Sequence, residues 1–196
     1  MEDALLTYQR KRCQSLEELW RIVTDLKSQG KKIVLTSGTF DILHVGHGRY
    51  LIFARSLGDY LVVGVDSDAK VRDRKGPSRP VVDQNERVEM LSFLAAVDLL
   101  YVKPLGDPRW ALIKAVKPDV LVISKRSDYS DEEIVELARY CGSIEVLESQ
   151  AETSTTARIR SLIISSVAPL LNEFEQVEKL ILSMRGKLEE ITGGQS

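Results

Sequence analysis

The chain predicts an α/β fold: a Rossmann-like, doubly wound, five-stranded parallel sheet with an added C-terminal helix. Three observations carry that reading. Short apolar runs at 33–35, 60–65, 99–102, 120–123 and 144–147 recur at domain-like spacing. They are nearly uninterrupted by polar residues, as strands covered on both faces are. Between them stand helix-start signals, and strands that alternate with helices pair in parallel through right-handed crossovers.

The elements follow in order. Ser15 with Glu18 forms a capping box that opens a helix over 15–30 through Leu19, Trp20, Val23 and Leu26, with Gly30 to close it. Lys31 and Lys32 lead into the first strand. The small-residue turn Thr36-Ser37-Gly38-Thr39 follows, and a helix beginning near His44 runs to about Leu57. After the second strand, residues 66–80 predict a basic loop, with Lys70, Arg72, Arg74, Lys75 and Arg79 against Asp73 and a Gly76-Pro77 turn. Asp83 with Glu86 caps the next helix, whose apolar face is Val88, Leu91, Leu94 and Ala95. Asp107 before Pro108 starts a helix through Val116, and Ser130 with Glu133 opens one that Gly142 ends.

Beyond Ser165 the pattern changes. Val167, Leu170, Phe174, Val177, Ile181, Met184, Leu188 and Ile191 follow steps of three and four, a heptad seam of about three and a half repeats. Leu171 and Leu180 widen the stripe. The expected organisation is a domain over 1–165, made of the N-terminal helix 15–30 and a core over 31–165, and an amphipathic helix over 166–196. That helix either packs on its own domain or joins subunits into a homo-oligomer such as a dimer.

Composition narrows the function. The 196 residues are 43% apolar and 29% charged, with a net charge of -2. Such a balance gives no reason to expect nucleic acid as a partner. No stretch approaches the ~18 apolar residues of a membrane span, and the first residues carry no leader pattern, so a cytoplasmic protein without a membrane partner is expected. Cys13 and Cys141 are isolated thiols without metal-binding spacing.

The informative residues are His44 and His47, the 2 histidines of the chain. They lie at a strand–turn–helix junction, where free backbone N–H groups and the positive helix end attract anions. If His44 caps the helix, His47 stands one turn along on the same face and both rings can address one phosphate. Gly38 and Gly46 let a ligand approach the backbone, and Thr39 offers a hydroxyl. Asp41 is the odd residue in an anion site; a lysine, a histidine tautomer or a magnesium ion could be its partner. No third His or Cys is close enough in sequence to complete a protein metal site.

Gly38-Thr39-Phe40-Asp41 followed by His44-Val45-Gly46-His47 resembles the H-x-G-H signature of the cytidylyltransferase-like nucleotidyltransferases. Lys75-Gly76-Pro77-Ser78-Arg79-Pro80-Val81 and Glu86-Arg87-Val88-Glu89-Met90-Leu91 are similar to segments of heptose-1-phosphate adenylyltransferases and glycerol-3-phosphate cytidylyltransferases. Ala96-Val97-Asp98 and the run from Lys117 to Val122 continue in register, and Ser154-Thr155-Thr156 resembles the late Ser/Thr motif.

The resemblance covers roughly 31–165 and makes 1–165 a nucleotidyltransferase domain. It implies transfer of a nucleotidyl group from ATP or CTP to a small phosphorylated sugar or polyol, ADP-heptose-synthase-like, with release of pyrophosphate. His44, His47, Lys75 and Thr39 are the implied catalytic group. Gly38, Thr39, Phe40, Asp41, Gly46, Arg87, Ser154, Thr155 and Thr156 would hold the nucleotide, and Mg2+ would bridge phosphate oxygens with few protein ligands. Lys125 and Arg126 stand where relatives have a glycine turn and would bind the acceptor. Two other readings compete: adenylyl transfer to a larger acceptor such as FMN or a pantetheine phosphate, and a non-catalytic nucleotide-binding assembly protein.

Overall fold

Six parallel strands build the sheet of the computed structural model, in the spatial order Arg12–Cys13, Leu99–Lys103, Tyr60–Asp66, Ile33–Gly38, Val120–Ser124 and Ser143–Leu147. The structure describes residues 2–125, 129–148, 162, 173–174 and 177–185. In chain order the elements are α1 (Glu2–Lys11), β1 (Arg12–Cys13), α2 (Leu16–Ser28), β2 (Ile33–Gly38), α3 (Val45–Ser56) and β3 (Tyr60–Asp66). They continue with α4 (Asp68–Lys75), α5 (Gln84–Ser92), β4 (Leu99–Lys103), α6 (Ala111–Val116), β5 (Val120–Ser124), α7 (Asp131–Leu137) and β6 (Ser143–Leu147).

The expected five strands are present, and the two-residue β1 adds a sixth at the edge, pairing Arg12 with Leu100 and Cys13 with Tyr101. Winding reverses at β2, which pairs with β3 on one side and β5 on the other. A crevice beyond the carboxyl ends of the strands at such a reversal is where doubly wound sheets bind ligands.

Side-chain alternation along the strands explains the two cores. Ile33 and Leu35 point to a cluster with Leu19 and Val23 of α2, Leu112 and Val116 of α6 and Leu137 of α7. Val34 points the other way, to a cluster with Leu51 and Ala54 of α3 and Val88 and Leu91 of α5. Both faces of the sheet are therefore dry, and each strand reads as a continuous apolar run. Acids in the connections satisfy strand starts: Asp119 accepts from the Ile33 N–H at 2.7 Å, and Asp98 from that of Leu61 at 2.8 Å.

Four local expectations need correction. The segment expected to be a basic loop contains α4. Ser67 caps it, accepting from the Lys70 N–H at 3.2 Å. Asp68 then sits in its first turn, Arg72, Arg74 and Lys75 in its last, and Val71 is buried. One apolar anchor gives no visible periodicity, but charges matched to the helix dipole and a cap suffice for two turns against a sheet.

The helix expected from Asp107 starts only at Ala111, because Trp110 is left-handed at φ 61° and breaks the run. The helix expected to end at Gly142 stops at Leu137. Gly142 serves a close approach instead, since a Cβ there would lie 2.6 Å from the Asp119 carbonyl oxygen. At α2, Ser15 accepts from the Glu18 N–H at 3.0 Å, but Glu18 reaches Gln14 rather than closing the box on Ser15.

The chain divides into two compact units, Met1–Glu152 and Thr153–Ser196. In the second, residues 173–174 and 177–185 are helical, and Phe174, Val177, Ile181 and Met184 of the seam are exposed, as are Leu180 and Leu182. Among the described residues, no helix is long and apolar enough to cross a membrane.

Candidate active site

The turn after β2 is shaped by one aromatic ring. Phe40 is buried in a left-handed conformation at φ 51°, which a bulky residue adopts only when its surroundings hold it there. Its ring meets His47 edge-on with centroids 5.5 Å apart. Gly38 makes the space, because a Cβ there would stand 3.1 Å from the Phe40 ring.

His44 is the N-cap of α3, in extended conformation at φ -146° and ψ 171°. Its Nδ1 accepts from the Gly46 N–H at 3.1 Å. His47 reciprocates as the third helical residue, its Nδ1 accepting from the His44 N–H at 3.4 Å. The two imidazoles thus close a capping box, with ring centroids 4.0 Å apart. A ring whose Nδ1 accepts carries its proton on Nε2. Burial, reinforced by His44, pushes the His47 pKa down to about 4. At neutral pH His47 is therefore an uncharged Nε2–H donor.

A second group gathers on Thr39. Its hydroxyl accepts from Arg74 at 2.9 Å and Lys75 at 3.3 Å, and lies 3.5 Å from Asp66 Oδ2. Asp66 is 2% exposed and ends β3. Its Oδ2 pairs with Arg74 and its Oδ1 with Lys103, each at 3.0 Å. Burial alone would raise the Asp66 pKa, but Lys103, Arg74 and Lys70 together hold it below the usual carboxylate value. Lys75 is lowered by burial first and then by Arg74 and Arg79; Lys70 is lowered by burial and then by Lys103. Burial leads in both shifts and neighbouring positive charge adds to it, a crowding that an incoming anion would relieve.

Asp41 resolves differently from any of the expected alternatives. Its Oδ1 accepts from the N–H groups of Val81 and Val82 at 2.8 and 3.0 Å, and its Oδ2 pairs with Arg79 at 2.8 Å. It clamps the segment after α4 onto the histidine turn.

Arg87, expected at the nucleotide, is 1% exposed and bonded to protein oxygens. Its Nε donates to the Val82 carbonyl at 3.0 Å, Nη1 to the Thr39 carbonyl, and Nη2 to the Asp66 carbonyl at 2.9 Å and Asp68 at 2.7 Å. It ties the Thr39 turn, the end of β3, α4 and the Val82 loop into one unit.

The structure thus brings Thr39 to Lys75, and His44 to Gly46 and His47, with Phe40 as the link against His47. Lys125 lies at the end of β5, exposed and paired with Glu148. Arg126, Ser154, Thr155 and Thr156 lie outside the described residues. Lys103 was not singled out in the sequence, and Asp66, Arg74 and Arg79 were not among the expected site residues. A helix through 68–75, had its Ser67 cap been read, would have placed Lys70 and Arg74 on one face. The Asp66–Lys103 pair follows from strand register, which no local pattern reveals. Among the described residues, no three His, Cys, Asp or Glu side chains are placed to hold a metal ion. The buried acids Asp41 and Asp66 are both committed to cations.

A family model described as cytidylyltransferase-like matches residues 35–167. The chain is 44% identical over 147 residues to the "Bifunctional protein HldE" of a Nitratiruptor species, covering 74% of this chain and 31% of that protein. It is 43% identical over 150 residues to the protein of that name from Pseudomonas savastanoi pv. phaseolicola, covering 75% and 31%. The chain thus spans about a third of the length of these curated relatives. The crystal structure of the lipopolysaccharide core biosynthesis protein from Thermoplasma volcanium is similar with 31% identity and a TM-score of 0.52, over 64% of this chain and 100% of that one. A pantoate-beta-alanine ligase from Francisella tularensis shares the fold at 16% identity and a TM-score of 0.52, over 72% of this chain and 68% of that one.

Proposed function

The chain belongs to the cytidylyltransferase-like family, and we propose that it is an active nucleotidyltransferase that joins ATP or CTP to a small phosphorylated sugar or polyol. A phosphate oxygen of the acceptor attacks the α-phosphorus in line. The new P–O bond forms as the bond to the bridging oxygen of the β-phosphate breaks, and pyrophosphate leaves with that electron pair. Such a transfer asks the protein for position and charge stabilisation rather than covalent chemistry.

The observation that carries this reading is the pair of interlocked imidazoles. Their Nδ1 atoms are occupied by backbone N–H groups, so their Nε2–H groups serve as donors to oxygens that gain charge in the transition state. Fixed donors of this kind lose little on reorganisation. The cations on Thr39 supply the complementary long-range attraction: Lys75 and Arg74 meet the triphosphate, and Gly38, Phe40 and Gly46 set the turn against which it lies. Asp41 and Arg87 act through position, by fixing the backbone around Thr39. Magnesium, which the family implies, finds no uncommitted carboxylate set among the described residues, and would come with the nucleotide, supplying positive charge to its phosphates.

The likeness to a lipopolysaccharide core biosynthesis protein favours a sugar phosphate as acceptor, as in an ADP-heptose-synthase-like reaction, whose charge Lys125 at the end of β5 would attract. The tail seam is the proposed contact between copies of the chain; its removal should lower the mass seen by light scattering. Pyrophosphate release from ATP and CTP, screened against heptose-1-phosphate, glycerol-3-phosphate, FMN and pantetheine phosphate with magnesium present, tests the whole reading. We expect release with one nucleotide and a sugar or polyol phosphate. Release with no pair would overturn it.

A further inference from the structure

One buried acid in the crevice touches neither imidazole and takes no part in the bond changes of the transfer. Asp66 stands opposite Lys103 in the parallel register of β3 and β4, so both side chains rise from the same face of the sheet. The lysine stem is threaded over Gly64: a Cβ there would lie 2.8 Å from Lys103 Cδ. The other carboxylate oxygen holds Arg74 from α4. The acid is almost wholly buried, whereas the Arg74 side chain is 46% exposed, so the guanidinium is gripped from beneath and shows its outer edge to the crevice.

We propose that Asp66 is a positioning residue, whose two oxygens set Arg74 and Lys103 beside the Thr39 hydroxyl so that both cations meet the polyphosphate together. The inference rests on the nucleotidyl-transfer reading and names residues that set its affinity for phosphate. A long flexible cation loses side-chain freedom when it binds an anion, and a cation already fixed on a carboxylate has lost most of it beforehand. A carboxylate present only for neutrality would need one partner. This one has a cation on each oxygen, from two different elements, and shares the Arg74 guanidinium with Thr39.

The test uses the full chain and inorganic pyrophosphate as the probe, by titration calorimetry. Asp66→Asn and Arg74→Gln should each weaken pyrophosphate binding by about tenfold, the scale of one charge-assisted hydrogen bond. The double variant should be little weaker than Asp66→Asn alone, because the acid acts through the arginine. In turnover, KM for the nucleotide should rise more than kcat falls. Unchanged or tighter pyrophosphate binding by Asp66→Asn, or fully additive losses in the double variant, would overturn the proposal and leave the nucleotidyl-transfer reading standing. Should Asp66→Asn fail to fold, Arg74→Gln and Lys103→Met replace it; normal affinity in either overturns the proposal. A wild-type chain that binds no pyrophosphate overturns the transfer reading as well.

Discussion

In the proposed reaction the histidine turn and the Thr39–Asp66 crevice would both receive phosphate, but by opposite means. The turn uses uncharged donors: two imidazoles whose Nδ1 atoms accept from backbone N–H groups of the same turn, His47 with its pKa pushed down to about 4. The crevice uses ion pairs, with Arg74 and Lys103 on a buried carboxylate. Neutral donors cost little to bury and stabilise charge at short range, where the transition state forms. Paired cations act over longer distance and govern binding. The difference separates the two kinetic constants: the turn should control kcat and the crevice KM.

The largest expected effect comes from breaking the turn. His47→Ala should lower turnover by ~10²-fold or more, as loss of a transition-state donor does, with little change in folding. Near-normal pyrophosphate release at saturating substrates would remove the turn from the chemistry.

Breaking what joins the two regions comes next. Arg87→Ala strips the partner from half-buried Asp68 and from three carbonyl groups, and should destabilise the fold by about 3–5 kcal/mol. Chemical denaturation measures it; a loss under about 1 kcal/mol would mean that the two regions are held in place independently.

Acidity sharpens the contrast. The His47 pKa lies near 4 in the folded chain and at about 6.5 when unfolded. The unfolded chain therefore binds more protons across that window. Stability should rise with pH from about 4 to about 6.5 and flatten, on this account, above it. The acid limb of kcat/KM should likewise fall near 4. A His47-dependent limb near 6.5, absent in His47→Ala, would show a solvated, protonatable ring. The smallest effect belongs to the periphery: Lys125→Ala removes an exposed ion pair and should shift stability by under about 1 kcal/mol, while any rise in acceptor KM would place that lysine at the acceptor.

The same contrast explains what could be read from the sequence. His44, Gly46 and His47 interact within one turn of helix, so spacing alone placed both rings on one face and the cap at His44. The strands were legible because each is buried on both sides. Helix α4 was not, because a two-turn helix with Val71 as its one buried residue shows no period. The partners of Asp41 and Asp66 were hidden for another reason: the Asp41–Arg79 and Asp66–Lys103 pairs join residues far apart in sequence and depend on tertiary register. Arg87 looked like a ligand-binding arginine because its sequence neighbours resemble a family motif, and only packing turns its guanidinium inward.

The brevity of β1 has a consequence for the life of the protein in a crowded solution. It pairs with β4 at Leu100 and Tyr101, and it leaves Val102 and Lys103 at the rim without a strand on that side among the described residues. An open edge invites another chain to add a strand and begin aggregation. Here the open stretch ends in a lysine whose charge is bound inward to Asp66, and an intruding strand would have to bury that end of β4 beside it. Lys103, one of the two cations of the proposed phosphate crevice, thus also stands at the border of the sheet.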